Sequence, residues 1–152
     1  MDINLQLASP DDTELILPLV GAYHEFEHLE STEVERESVI RKLLQNPEFG
    51  GIWLIYSCDE LTGYIAICRG YSLEFGGFDA FIDEFFIKEK FRGKGIGTKV
   101  LEIIKLEAKK LEIKALHLEV ARDNHSAQKL YRKVGFEARD KYMLMSLELG
   151  GE

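Results

Sequence analysis

The chain has 152 residues, of which 45% are hydrophobic and 30% charged, a balance that excludes a disordered or fibrous chain. No apolar run reaches the ~20 residues of a membrane helix, and Met1 to Pro10 lacks the basic-then-apolar layout of a signal peptide, so a cytoplasmic protein is expected. A net charge of −8 argues against general nucleic-acid binding, which needs a basic surface.

In chain order, Ile3 to Ala8 alternates and reads as a first strand. Ser9 followed by Pro10, Asp11 and Asp12 is a helix-start pattern, and Leu15, Leu19, Ala22 and Phe26 carry helical spacing to about His28. Thr32 and Glu35 form a capping-box pattern for a second helix that stops near Asn46-Pro47. Gly51 to Cys58 and Leu61 to Arg69 are β-rich runs around Asp59-Glu60, a hairpin signal. After Gly76-Gly77 comes a strand over Ala80 to Ile87, then a helix with the apolar stripe Ile96, Val100, Ile103, Ile104 and Ala108. Ala115 to Val120 reads as a strand, Asp123 or Asn124 caps a short helix ending at Gly135, and Tyr142 to Leu149 alternates as a last strand. The two cysteines, Cys58 and Cys68, lie in strand-like runs and are expected as buried, reduced thiols. No linker or repeat interrupts the chain, so one domain over 1–152 is expected.

The charge is unevenly spread. Residues 1–60 hold 13 acids against three bases, residues 61–152 hold 14 acids against 16 bases, and residues 88–99 hold five bases against the one acid Glu89. That basic stretch contains Arg92-Gly93-Lys94-Gly95-Ile96-Gly97-Thr98, placed between a strand and a helix N-terminus. Free backbone N–H groups and the positive end of a helix make such a loop a cradle for a pyrophosphate. The spacing fits neither the phosphate loop of nucleotide hydrolases, which needs Gly-Lys-Ser/Thr, nor the Gly-x-Gly-x-x-Gly of dinucleotide folds.

The loop resembles the signature Arg/Gln-x-x-Gly-x-Gly/Ala of the GNAT superfamily of N-acetyltransferases, met here by Arg92, Gly95 and Gly97. Leu118-Glu119-Val120, Asn124 and Ala127-x-x-Leu130-Tyr131-x-x-x-Gly135-Phe136 resemble its second half. The resemblance implies an α/β (α+β) fold: a mixed sheet of about six to seven strands with about four helices, splayed between the strands ending at Ile87 and Val120. It implies acetyl-CoA as co-substrate, with the backbone of Phe85, Phe86 and Ile87 pairing with pantetheine. Arg92 to Thr98 (Arg92, Gly93, Lys94, Gly95, Ile96, Gly97, Thr98) would then hold the pyrophosphate, with Asn124 and Ala127 further along. Tyr131 matches the family's tyrosine that protonates the departing thiolate. Two carboxylate positions compete to take the proton of the amine: Asp83-Glu84, of which strand alternation would aim only one at the site, and Glu119 on the neighbouring strand. The Asp83–Glu84 pair is placed first, and Glu119 is expected to line the acceptor site.

The motifs are particularly similar to those of diamine and polyamine acetyltransferases, which implies a small cationic amine acceptor: polyamine, diamine, aminoglycoside or lysine-like. Tyr23, Phe26, Glu27 and Glu74, with Glu25, Glu30 and Tyr71, would form an acidic and aromatic wall for it. A protein or peptide acetyltransferase and a non-catalytic acetyl-CoA-binding module are the alternatives. Similar proteins commonly form homodimers, although the residues carry no interface signal. One competing motif remains: His24-Glu25-Phe26-Glu27-His28 spells His-Glu-x-x-His on a predicted helix, the pattern of a zinc protease. Phe26 and Leu29 belong to the apolar stripe there, and the acetyltransferase motifs account for far more of the chain, so no metal site is expected.

Overall fold

A computed structural model describes residues 2–150. The chain divides between Glu119 and Val120 into two compact units.

The first unit holds a five-stranded sheet in the order β1 (Ile3–Leu7), β2 (Gly50–Ser57), β3 (Glu60–Ser72), β4 (Gly77–Ile87), β5 (Ala115–His117). The first four strands are antiparallel neighbours and β5 joins β4 in parallel, which makes the sheet mixed. The β2–β3 hairpin turns through Cys58 and Asp59, both left-handed (φ 50° and 68°), as the twist of a tight hairpin requires. Cys58 is therefore an exposed turn residue rather than a buried strand thiol, and Cys68 is half-buried; both are free.

Helices α1 (Thr13–Phe26) and α2 (Glu33–Gln45) cover one face. Ile16, Leu19, Val20, Ile40 and Leu44 pack there on Ile52, Leu54, Tyr64, Ala66 and Phe86. The capping box of α2 forms as its residues predict, with Glu35 N–H donating to Thr32 Oγ1 and Thr32 N–H to Glu35 Oε1. Helix α3 (Ile96–Lys110) contacts β1 and buries Ile96, Val100, Leu101, Ile104 and Ala108.

α1 stops two residues earlier than its periodicity predicts. The N–H of Leu29 bonds the His24 carbonyl (2.8 Å) and that of His28 the Glu25 carbonyl (3.2 Å), with His28 left-handed at φ 58°. These paired bonds are a Schellman ending, and they take His28 off the helix.

The second unit contains α4 (His125–Val134), capped by Asn124 and stopped by the left-handed Gly135 (φ 118°). Residues 142–149 form no strand, so the described residues hold five strands rather than six or seven, beside four α-helices. Alternation alone does not make a strand; its backbone groups need a neighbouring strand, and none pairs with this segment among the described residues.

Candidate active site

β4 carries the feature that organises the site. Ala66 of β3 lies opposite Glu84 while its neighbour Ile67 lies opposite Ile82, so Asp83 is the extra residue of a β-bulge. Alternation predicts that only one of two successive carboxylates faces a given side; the bulge brings both Asp83 and Glu84 to the same cavity.

That cavity, about 270 Å³, lies between α1, α2 and the β3–β4 pair. Apolar Val20, Val39, Ile40, Leu43 and Ile52 form much of its wall, and Glu30, Glu35, Asp83 and Glu84 supply four carboxyl groups. Glu84 is held from two directions: Tyr64 donates its hydroxyl to Oε1 at 2.7 Å, and His24 Nε2 lies 2.7 Å from Oε2. On the far side of the imidazole, Nδ1 lies 2.9 Å from Ser31 Oγ. Arg36 Nη1 then donates to Ser31 Oγ (3.0 Å) and to the Ser31 carbonyl (2.7 Å). Tyr23 sets its ring edge against His24, Tyr64 and Phe86.

Burial shapes the titration of this region. It pushes the Tyr64 phenol far above its ordinary value, and the Glu84 carboxylate adds to the shift. Burial pushes the Cys68 thiol up to about 11, with the charges of Asp83 and Glu84 contributing. The backbone N–H of Thr32, followed by its hydroxyl, holds Glu35 below the usual carboxylate value.

β5 pairs with β4 only over Asp79 to Phe81, the last rung being Phe81 with His117. The strand predicted to reach Val120 stops at His117, and among the described residues no strand pairs with that side of β4 from Ile82 to Ile87. A row of main-chain donors and acceptors is thereby available to an extended guest. After β4, a single helical turn (Glu89–Phe91) leads to Gly93 and Gly95, both left-handed (φ 75° and 80°). Gly95 caps α3 without any side-chain cap, leaving the first-turn N–H groups of Ile96, Gly97 and Thr98 without a capping side chain. A Cβ added at Gly93 or Gly95 would meet nothing within 4 Å, so the main chain here lies open to a group as large as a pyrophosphate. Acetyl-CoA thus fits the residues present: an unpaired strand edge for its amides and a helix N-terminus with cationic Lys94 for its phosphates. Arg92 departs from the expectation in part, because its Nε donates to the Ile87 carbonyl (2.7 Å) and its guanidinium lies over the Phe26 ring.

The other predicted residues separate. Glu119 is exposed beyond the end of β5 and does not line the cavity. Glu27 caps the end of α1, Phe26 is an exposed stacking partner of Arg92, and Glu74 sits in the β3–β4 turn, at the opposite end of β4 from Glu84. In the second unit, Asn124 Oδ1 accepts the Ala127 N–H (3.2 Å), so these two residues cap α4. Tyr131 packs on Phe136, and burial raises its phenol pKa. Ser31, Arg36 and Tyr64 carry no motif, and Glu35 belongs only to the capping box of α2. His24 belongs only to the zinc-protease pattern, which fails: His28 is off the helix, both nitrogens of His24 are engaged, and no group of three or more His, Cys, Asp or Glu could hold a metal among the described residues.

Comparison with known proteins agrees with this geometry. The chain is 29% identical over 140 residues to the spermine/spermidine N(1)-acetyltransferase of Bacillus subtilis, covering 90% of this chain and 89% of that protein. The crystal structure of an integron cassette protein from the mobile metagenome of Cole Harbour Salt Marsh superposes with a TM-score of 0.85 at 28% identity, covering 97% of this chain and 91% of the other. A predicted acetyltransferase from Clostridium acetobutylicum, solved with acetyl-CoA, shares the fold at a TM-score of 0.76 and 20% identity, over 95% and 96% of the two chains. Residues 17–136 match the acetyltransferase (GNAT) family, and with most of its length inside that match the chain belongs to this family of acetyltransferases.

Proposed function

We propose that the protein transfers an acetyl group from acetyl-CoA to a primary amine of a small, multiply charged acceptor of the polyamine or diamine type. The observation that carries this reading is the cavity whose lining combines four acidic residues, Glu30, Glu35, Asp83 and Glu84, with aliphatic Val20, Val39, Ile40, Leu43 and Ile52. Two ammonium groups joined by methylenes match such a surface in charge and polarity. The similarity to a protein named spermine/spermidine N(1)-acetyltransferase supports the same class. An acetyl-CoA donor fits a cytoplasmic protein, and no helix among the described residues is long and apolar enough to cross a membrane.

In this reading the free edge of β4 aligns the thioester beside Asp83 and Glu84, and the loop from Gly93 to Thr98 receives the phosphates. The Asp83–Glu84 pair anchors the ammonium and, with the groups bonded to it, takes its proton. The neutral nitrogen attacks the thioester carbonyl in a ternary complex, the C–N bond forms as the C–S bond breaks, and Tyr131 supplies a proton to the leaving thiolate. Glu119 becomes the lesser carboxylate candidate because it lies outside the cavity.

An acceptor screen that follows thiol release tests the proposal. Diamines and polyamines should give kcat/KM values well above those of neutral amines of the same length. Equal values for cationic and neutral amines, or turnover confined to peptides, would overturn it.

A further inference from the structure

The proton of the acceptor has a route that the carboxylates alone do not supply. Both carboxylate oxygens of Glu84 are already engaged, Oε1 accepting from Tyr64 and Oε2 lying against His24 Nε2. Two groups orient this row: Arg36, which only donates, and the Glu84 carboxylate, which only accepts. A neutral imidazole placed against that carboxylate carries its hydrogen on Nε2, so its Nδ1 accepts the Ser31 hydroxyl hydrogen while Ser31 Oγ accepts from Arg36. Arg36 Nη1, Ser31 Oγ, His24 Nε2 and Tyr64 Oη each have an acceptor in this row, whereas the buried Arg36 Nε has none among the described residues, and Ser31, His24 and Arg36 all line the cavity.

We propose that His24 is the group that holds the acceptor's proton during acetyl transfer, reached through the Ser31 hydroxyl, while Glu84 and Tyr64 position the imidazole. The proposal rests on the acetyltransferase reading above. In the step, an ammonium N–H bond breaks and an O–H bond forms at Ser31. The original Ser31 O–H bond breaks as an N–H bond forms at His24 Nδ1. The products are a neutral amine and an imidazolium, paired through Nε2–H with the Glu84 carboxylate. Ser31 Oγ, with two lone pairs, can then accept from Nδ1–H and from Arg36 together. Asp83, exposed at the cavity and flanking the bulge, keeps its charge to bind the cation. No proton is placed on a carboxylate that already serves two donors.

The residues also fit a relay by their placement. His24 lies in the last turn of α1 and Ser31 two residues before α2, so the interval between the helices fixes both on one side of the cavity. The Schellman ending of α1, which spoils the zinc pattern, brings the chain back towards Ser31 within a few residues.

The test uses His24→Ala and Ser31→Ala in the full-length protein, with acetyl-CoA and the best acceptor from the screen. His24→Ala should lower kcat about 100-fold or more, the size of a lost acid–base group, with KM for acetyl-CoA little changed. Adding imidazoles of similar size but graded basicity should restore turnover, and the rescued rate should rise with basicity. A residue that merely fills space would be rescued without regard to basicity. Ser31→Ala, outside any helix, should fold normally and lower kcat by a smaller factor, with His24 and Glu84 still paired. Full kcat in Ser31→Ala, or rescue of His24→Ala that ignores basicity, overturns the relay while wild-type turnover leaves the acetyltransferase reading standing. Failure of the wild type on every amine overturns both.

Discussion

Arg92 Nε donates to the carbonyl oxygen of Ile87 at 2.7 Å, closing a loop of five residues between the end of β4 and the glycine-rich turn. The same guanidinium lies 4.8 Å from the centre of the Phe26 ring and 5.5 Å from that of Phe86, so one side chain ties α1, β4 and the loop together. Arg92 therefore shapes the loop as well as charging it.

Arg92→Ala should cost about 1–2 kcal/mol, summing a lost hydrogen bond near 1 kcal/mol with a cation–π contact of roughly half to one. Arg92→Lys should recover little, because a point ammonium cannot stack and donate in the same geometry. Thermal unfolding checks stability. KM for acetyl-CoA should rise in both variants, because the loop proposed to receive the phosphates loses its brace. Unchanged Tm and KM in Arg92→Ala would show that the contact holds nothing.

Tyr131 provides a separate test in the second unit. Burial raises its phenol pKa, so the proton that the proposed reaction offers to the leaving thiolate stays on the residue beyond the ordinary tyrosine range near 10. Tyr131→Phe should lower kcat by about 100-fold or more and leave the affinity for acetyl-CoA nearly intact. Pre-steady-state kinetics would separate the chemical step from product release. A variant with wild-type kcat would remove Tyr131 from the mechanism.

Several of these parts are legible in the sequence because they are local. The capping box of Thr32 and Glu35, the hairpin around Asp59, and Gly95 at the start of α3 each depend on residues a few positions apart. The candidate site is not local. His24 and Glu84 are 60 positions apart, and no spacing rule links a helix end to a distant strand. The bulge at Asp83 is also silent, since a one-residue register shift leaves no mark on the alternation of a strand as apolar as Phe85-Phe86-Ile87. The tail at 142–149 shows the reverse: a strand pattern is visible, but strand formation depends on a partner that the pattern does not specify.

The buried tyrosines set the alkaline limit of stability. Tyr64 and Tyr131 have phenol pKa values raised above the ordinary 10 by burial, so between that value and their folded-state values the folded chain binds more protons than the unfolded chain. Stability contributed this way is fully present below pH 10 and is lost as pH rises above it. Urea titrations should therefore show little tyrosine-dependent change from pH 8 to 10 and a decline beyond. Tyr64→Phe should flatten the decline, although at pH 8 it costs about 1–3 kcal/mol, because Glu84 Oε1 loses its donor. An alkaline slope identical in wild type and variant would contradict this assignment.

Two glycines should respond in opposite directions when changed to alanine. Gly63 of β3 faces the main chain of β4, where an added Cβ would sit 2.0 Å from the Phe86 carbonyl oxygen. Backbone cannot swing aside as a side chain does, so β4 must move two residues from Glu84, and Gly63→Ala should cost about 1–3 kcal/mol. Gly21 lies inside α1, where the added carbon would meet only the Arg36 guanidinium at ordinary contact distance, 3.6 Å and beyond. Helix propensity then decides the sign, and Gly21→Ala should stabilise by up to about 1 kcal/mol. Because Arg36 bonds Ser31, activity is the sharper readout for Gly21→Ala: kcat should be preserved, whereas Gly63→Ala should lose kcat along with Tm. Loss of activity in Gly21→Ala without loss of stability would mean that Arg36 has been displaced and that its placement over Gly21 sets the position of Ser31.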